Sequence, residues 1–127
     1  MARVFKRREF ARWQTRERLP DHALCAAVEC LARGLVDAHL GANLYKQRVP
    51  RRGAGKRGGY RTLIAARVDV RYVFLHGFAK NERDTISEQE RRALQFAGQV
   101  YLGHEVAALD AALETGVLLE IRCEQDH

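Results

Sequence analysis

The chain has 127 residues, of which 46% are hydrophobic and 30% charged, and its net charge is +6. That length suits one domain with one core, and that composition excludes an intrinsically disordered chain. No apolar run approaches the roughly 20 residues needed to span a bilayer, so no membrane contact is expected.

The charge is unevenly spread. Residues 1–80 carry 18 Lys or Arg against 6 Asp or Glu, and residues 81–127 carry 4 against 10. This split predicts a basic working surface for a polyanion or an acidic protein, with an acidic C-terminal part lying elsewhere. The N-terminus, MARVFKRREFARW, is basic with no apolar stretch behind it and does not read as a signal peptide. Cys25, Cys30 and Cys123 are odd in number and lack CxxC spacing, which predicts free thiols in a reducing compartment, the cytoplasm by default.

In chain order, a brief extended stretch at Arg3–Phe5 precedes a short amphipathic helix over residues 7–18, marked by Phe10 and Trp13. Pro20 interrupts, Asp21 is placed to cap a second helix, and Leu24, Val28, Leu31 and Leu35 form its apolar stripe before Gly34 stops it. The pair reads as an antiparallel helical hairpin. From Leu44 the period changes. Residues 44–49, 60–68 and 71–78 read as an antiparallel meander, with a tight turn at Val68-Asp69-Val70. Ser87 and Glu90 make a capping box for a third helix whose buried side is Leu94, Ala97 and Tyr101. A fourth helix follows Gly103, with Val106, Leu109 and Leu113 repeating until Gly116. Residues 117–122 (VLLEIR) read as a last strand, able to add to a sheet edge. No repeat or linker divides the chain, so the expectation is one domain over residues 1–127.

The loop between the first two meander strands concentrates the chemistry. Lys46, Arg48, Arg51, Arg52, Lys56, Arg57 and Arg61 fall in sixteen residues without a carboxylate, and Gly53, Gly55, Gly58 and Gly59 allow close backbone approach. Phosphates in rows are the natural counter-charge. Residues 53–58 match GxGxxG, but strand formers follow instead of a helix, which removes the dinucleotide reading. Arg57 stands where a phosphate-binding loop needs Ser or Thr after its lysine, which removes that reading too. His22 and Cys25 are too few for a metal site. His76, alternating with Phe74 and Phe78, reads as a half-buried strand histidine with some scope for acid–base work. No carboxylate cluster stands in the basic half, so neither metal nor cofactor is expected. RNA fits such a site, because its 2′-hydroxyl can attack the adjacent phosphate while Arg and Lys neutralise the transition state.

Three segments in order, LYKQRV at 44–49, GKRGGYR at 55–61 and GFAKNER at 77–83, resemble the RelE/ParE toxin superfamily and, within it, the HigB-like branch. The resemblance covers most of the chain and is weakest over the last thirty or so residues. It implies an α+β fold in which an N-terminal helical hairpin packs on a small, twisted, mostly antiparallel sheet, with C-terminal helices. It implies the toxin of a type II toxin–antitoxin system, an endoribonuclease that cuts mRNA on the ribosome, and a cognate helix-turn-helix antitoxin as partner. By position, Arg61 matches the arginine on the scissile phosphate, Lys56 and Arg57 match basic loop residues near the RNA, and Lys80 matches the basic residue ending the third sheet strand. Lys56, Arg61, Lys80 and Glu82 are thus the expected catalytic set, and Lys46, Arg48, Arg51, Arg52, Arg57 and Arg83 the expected RNA-binding set. Asn81 replaces an arginine common in relatives, and Ser87 lies near a position where some relatives use tyrosine. Glu82 and His76 are the candidates for moving protons. A gyrase-poisoning activity like that of the ParE branch, and RNA binding without cleavage, are the alternative readings.

Overall fold

The structure is a computed structural model that describes residues 2–50, 59–83 and 85–123. In chain order its elements are β1 (Arg3–Arg7), α1 (Arg8–Glu17), α2 (Asp21–Ala32), β2 (Ala38–His39), β3 (Leu44–Pro50), β4 (Gly59–Arg67), β5 (Arg71–Ala79), α3 (Glu88–Leu102), α4 (Val106–Glu114) and β6 (Leu118–Ile121). The six strands form one sheet in the order β2-β3-β4-β5-β1-β6. Neighbours are antiparallel except β1 and β5, which run parallel. The expected meander is its centre, and residues 117–122 supply the edge strand β6, paired with β1.

Strand alternation splits the core into two layers. Ile64, Ala66, Tyr72 and Phe74 face α1 and α2, where they meet Phe10, Leu24, Val28 and Leu31. Leu63, Ala65, Val73 and Leu75 face α3 and α4, where they meet Leu94, Leu102, Leu109 and Ala112. Burial on both faces explains why β4 and β5 read as nearly continuous apolar runs. Two glycines set how closely the helices approach. A Cβ on Gly77 would enter the ring of Trp13, and a Cβ on Gly98 would lie 2.8 Å from the Cβ of Ala65.

Local signals account for the helix ends. The Ser87–Glu90 capping box forms as expected. At the far end of α3, Arg71 donates from Nη1 to the carbonyls of Tyr101, Leu102 and His104, groups that a helix terminus leaves without partners. α2 closes with the amides of Gly34 and Leu35 turned back to the carbonyls of Leu31 and Cys30, which requires the φ of +82° that Gly34 supplies.

Several expectations need correction. Pro20, not Asp21, is the N-cap of α2; the Asp21 carboxylate instead accepts from Lys6 Nζ at 3.0 Å and Gln14 Nε2 at 2.8 Å. Leu35 lies beyond the helix end and is 57% exposed, so the stripe ends at Leu31. The buried side of α3 is Leu94, Gly98 and Leu102, because the close contact with β4 needs a missing side chain at its centre. Val106 is exposed, and α4 buries Leu109 and Ala112. Finally, the cysteines are not all free. Cys25 and Cys123 are bonded across 98 residues of sequence with Cα atoms 5.5 Å apart, because the end of β6 comes to rest beside α2, while Cys30 stays a thiol. No helix among the described residues is long and apolar enough to cross a membrane.

Candidate active site

Residues directly opposite each other in antiparallel strands share a face. The register sets Arg48, Arg61 and Phe78 in one row across β3, β4 and β5, and Lys46, Leu63 and His76 in the row beside it. Leu63 and Phe78 belong to the layer on the α3 side, so this face carries Lys46, Arg48, Arg61 and His76 with them. All sit at the sheet end where β5 passes into the loop before α3. The expected residues Arg51, Arg52, Lys56 and Arg57 lie outside the described residues, as does the GxGxxG match. β4 begins at Gly59 immediately after it, so a strand follows the glycines where a dinucleotide site needs a helix.

His76 reaches this face through an irregularity. Leu63 pairs with His76 but Ile64 pairs with Phe74, which leaves Leu75 as an extra residue in β5. Such a bulge re-aims the side chains that follow it. His76 therefore does not alternate with both phenylalanines: Phe74 packs in the α1 layer and Phe78 in the α3 layer. The His76 ring stands 6.2 Å from that of Phe78, and its Nε2 is buried without a hydrogen-bond partner among the described residues. Burial lowers its pKa from the ordinary 6.5, Arg7 and Arg83 push the same way, and Glu90 opposes them. The ring is held neutral near pH 7.

Arg61 lies on β4 with its side chain 13% exposed, its Nε 3.2 Å from Asp37 Oδ2. Its Nη1 is buried and has no hydrogen-bond partner among the described residues. Lys80 is exposed just past β5, and its backbone amide donates to the Gly59 carbonyl at 3.0 Å, which ties it to the start of β4. Glu82 is exposed in the turn that follows. Lys46 is half-buried and Arg48 exposed on β3.

Arg83, expected to bind RNA, is exposed beside the site and also holds the loop. Its guanidinium donates to Glu90 at 2.6 and 3.2 Å and to the Thr85 carbonyl at 2.8 Å, and lies over the Phe78 ring at 5.4 Å. Those hydrogen bonds from Arg83, together with the Ser87 cap, hold the Glu90 carboxylate down to about 2. Ser87 is likewise committed, accepting from the Glu90 amide. Arg83, Glu90 and Ser87 thus brace the loop beside the site.

Three neighbours escaped the sequence reading. Arg7, at the end of β1, donates from Nε to the Leu75 carbonyl at the bulge, at 2.6 Å. Nothing local marks that role. Asp37 pairs with Arg61, and its signal was present: it is the sole carboxylate between Glu29 and Asp69. Gln47 is buried in β3 among apolar neighbours, a polar exception in an alternating strand. Among the described residues no group of three or more His, Cys, Asp or Glu side chains is placed to hold a metal ion. A groove of about 670 Å³ at the α1–α2 turn, lined by Leu19, His22, Ala23, Pro50 and Tyr60 among others, includes none of these site residues.

The face sets the exposed Arg48 and the half-buried Lys46, Arg61 and His76 around the buried Leu63 and Phe78, with Lys80 exposed beside them, a grouping of cations suited to an anionic chain. A family model described as the RelE toxin of the RelE / RelB toxin–antitoxin system matches residues 2–121. No curated protein matches the chain.

Proposed function

Because the chain belongs to the RelE toxin family, as the toxin of a toxin–antitoxin system with an antitoxin as partner, we propose that it is a HigB-like endoribonuclease that cuts mRNA on the ribosome in the cytoplasm. The observation that carries this reading is the row Arg48–Arg61–Phe78 across β3–β5, with Lys80 tied beside it. A rigid sheet fixes two arginines next to each other, and like charges so placed favour a phosphate between or above them. Lys46 and Arg48, with Arg51, Arg52 and Arg57 of the loop, contact the RNA backbone, as does Arg83, which also braces the segment before α3.

In this reading the substrate's 2′-oxygen attacks the neighbouring phosphorus and the P–O5′ bond breaks. The 5′ fragment keeps a 2′,3′-cyclic phosphate, and the leaving 5′-oxygen takes up a proton. Arg61, Lys80 and Lys56 carry the charge that grows on the equatorial oxygens. The guanidinium fork of Arg61 matches two of those oxygens in a way an ammonium cannot. A neutral His76 and the exposed Glu82 are the groups available to move the protons. RNA brings its own nucleophile, so the step calls for neither metal nor cofactor. The antitoxin is a helix-turn-helix protein whose acidic segment covers the basic face, since complementary charge speeds encounter.

The test is expression in a bacterial host. The wild-type chain halts protein synthesis with mRNA cleavage, and co-expression of the antitoxin relieves it. Arg61→Ala folds, binds the antitoxin and loses about 100- to 1,000-fold in cleavage rate, the usual cost of one preorganised donor, with Arg61→Lys recovering part of it. Arrest of DNA replication with intact mRNA, or full toxicity in a folded Arg61→Ala protein, contradicts the reading.

A further inference from the structure

Arg61 is held from an unexpected direction. Asp37 lies between α2 and β2, and its carboxylate stands 3.2 Å from Arg61 Nε. The placement of Asp37 is itself determined by a buried amide. Gln47, 4% exposed, accepts from the Asp37 backbone N–H at 3.1 Å and donates from Nε2 to the carbonyls of Leu35 at 2.9 Å and Ala27 at 3.5 Å. Both ends of that side chain are satisfied by backbone, so the segment leaving α2 is pinned to β3. A carboxylate held 3.2 Å from Nε attracts the guanidinium by charge and so limits where its planar group can lie. Nη1 is left buried and without a partner among the described residues. In a stretch otherwise free of carboxylates, Asp37 also keeps the positive charges of Arg48 and Arg61 from repelling each other unopposed.

We propose that Asp37, itself set by Gln47, is the positioning residue of Arg61, aiming its guanidinium for a phosphate on the sheet face. The inference rests on the nuclease reading and deepens it. Asp37 touches no reacting atom; it acts through Arg61 alone. Removing its charge therefore lowers the rate of the chemical step without weakening RNA binding, and the loss disappears once Arg61 itself is gone.

The experiment is single-turnover cleavage of mRNA on programmed ribosomes, with folding checked by thermal melts. Asp37→Asn, close in shape and neutral, lowers the maximal rate about 10-fold or more, the order expected of a misplaced catalytic group. The ribosome concentration at half-saturation changes by less than about 2-fold, Asp37→Glu restores part of the rate, and Asp37→Asn adds nothing to Arg61→Ala. A second readout needs no activity: the Arg61 Nε–H resonance is protected from solvent exchange in the wild type and loses that protection in Asp37→Asn. If Asp37→Asn keeps the wild-type rate while Arg61→Ala is inactive, or if the two losses multiply, the proposal fails and the nuclease reading stands. Should Arg61→Ala cut like the wild type, the nuclease reading fails in its assignment of Arg61 and the catalytic part of the proposal goes with it. Unchanged Nε–H protection in Asp37→Asn removes the holding role in either case.

Discussion

At the scale of single residues, His76 shows how position turns an ordinary side chain into a chemical one. The extra Leu75 moves it from the α1 layer to the basic face, where burial first, and then Arg7 and Arg83, disfavour its protonated form. Its folded pKa is below 6.5, so between that lowered value and 6.5 the unfolded chain binds more protons than the folded one. Stability therefore rises with pH across that window. The contribution is complete above 6.5 and lost as pH falls through the folded value. Urea denaturation at a series of pH values checks this: His76→Gln flattens the dependence just below pH 6.5, and an unchanged slope would show that His76 does not carry it. The residue types of this face were legible from composition, because Lys46, Arg48 and Arg61 stand in a stretch without carboxylates except for Asp37 upstream. What each side chain faces was not, since a one-residue bulge leaves no trace in an apolar run.

At the scale of elements, the sheet positions the site and the helices fix the sheet. Trp13 lies over Gly77, one residue from His76, and contacts Phe10 and Tyr60 with ring centroids 5.3 Å away in each case. A methyl at position 77 must displace that ring, so Gly77→Ala costs about 1–3 kcal/mol, the range for overpacking a filled core. Chemical denaturation measures it, and a loss under about 0.5 kcal/mol, the level of a neutral surface change, would show that Trp13 yields freely. The meander and the capping box were readable because strand formers, turn residues and the Ser87–Glu90 spacing signal them locally. β2 was not, being two residues long, and neither was the buried stripe of α3, which is centred on the glycine that permits contact.

At the scale of the molecule, the fold closes through partners far apart in sequence. β1 pairs parallel with β5 and antiparallel with β6, and Cys123 beyond β6 is bonded to Cys25 on α2. Sequence periodicity carries no information about such pairings, which is why counting cysteines pointed to free thiols. Closing a loop of nearly a hundred residues removes unfolded-chain entropy worth about 4–5 kcal/mol in the simplest account. Reduction, or Cys25→Ser, is expected to lower the unfolding midpoint markedly while leaving the sheet and its basic face in place. Equal midpoints with and without reductant would show that the crosslink does not carry that stability.

In the proposed reaction this basic face cuts RNA by turning the substrate's own 2′-hydroxyl on the adjacent phosphate. Determining the 3′ end of the upstream fragment, after cleavage on programmed ribosomes by the purified chain, addresses it most directly. The expected end is a 2′,3′-cyclic phosphate or the 3′-phosphate it opens to, formed by the wild type and not by Arg61→Ala. A 3′-hydroxyl end would mean that water or another nucleophile attacks, and it would overturn the proposed reaction.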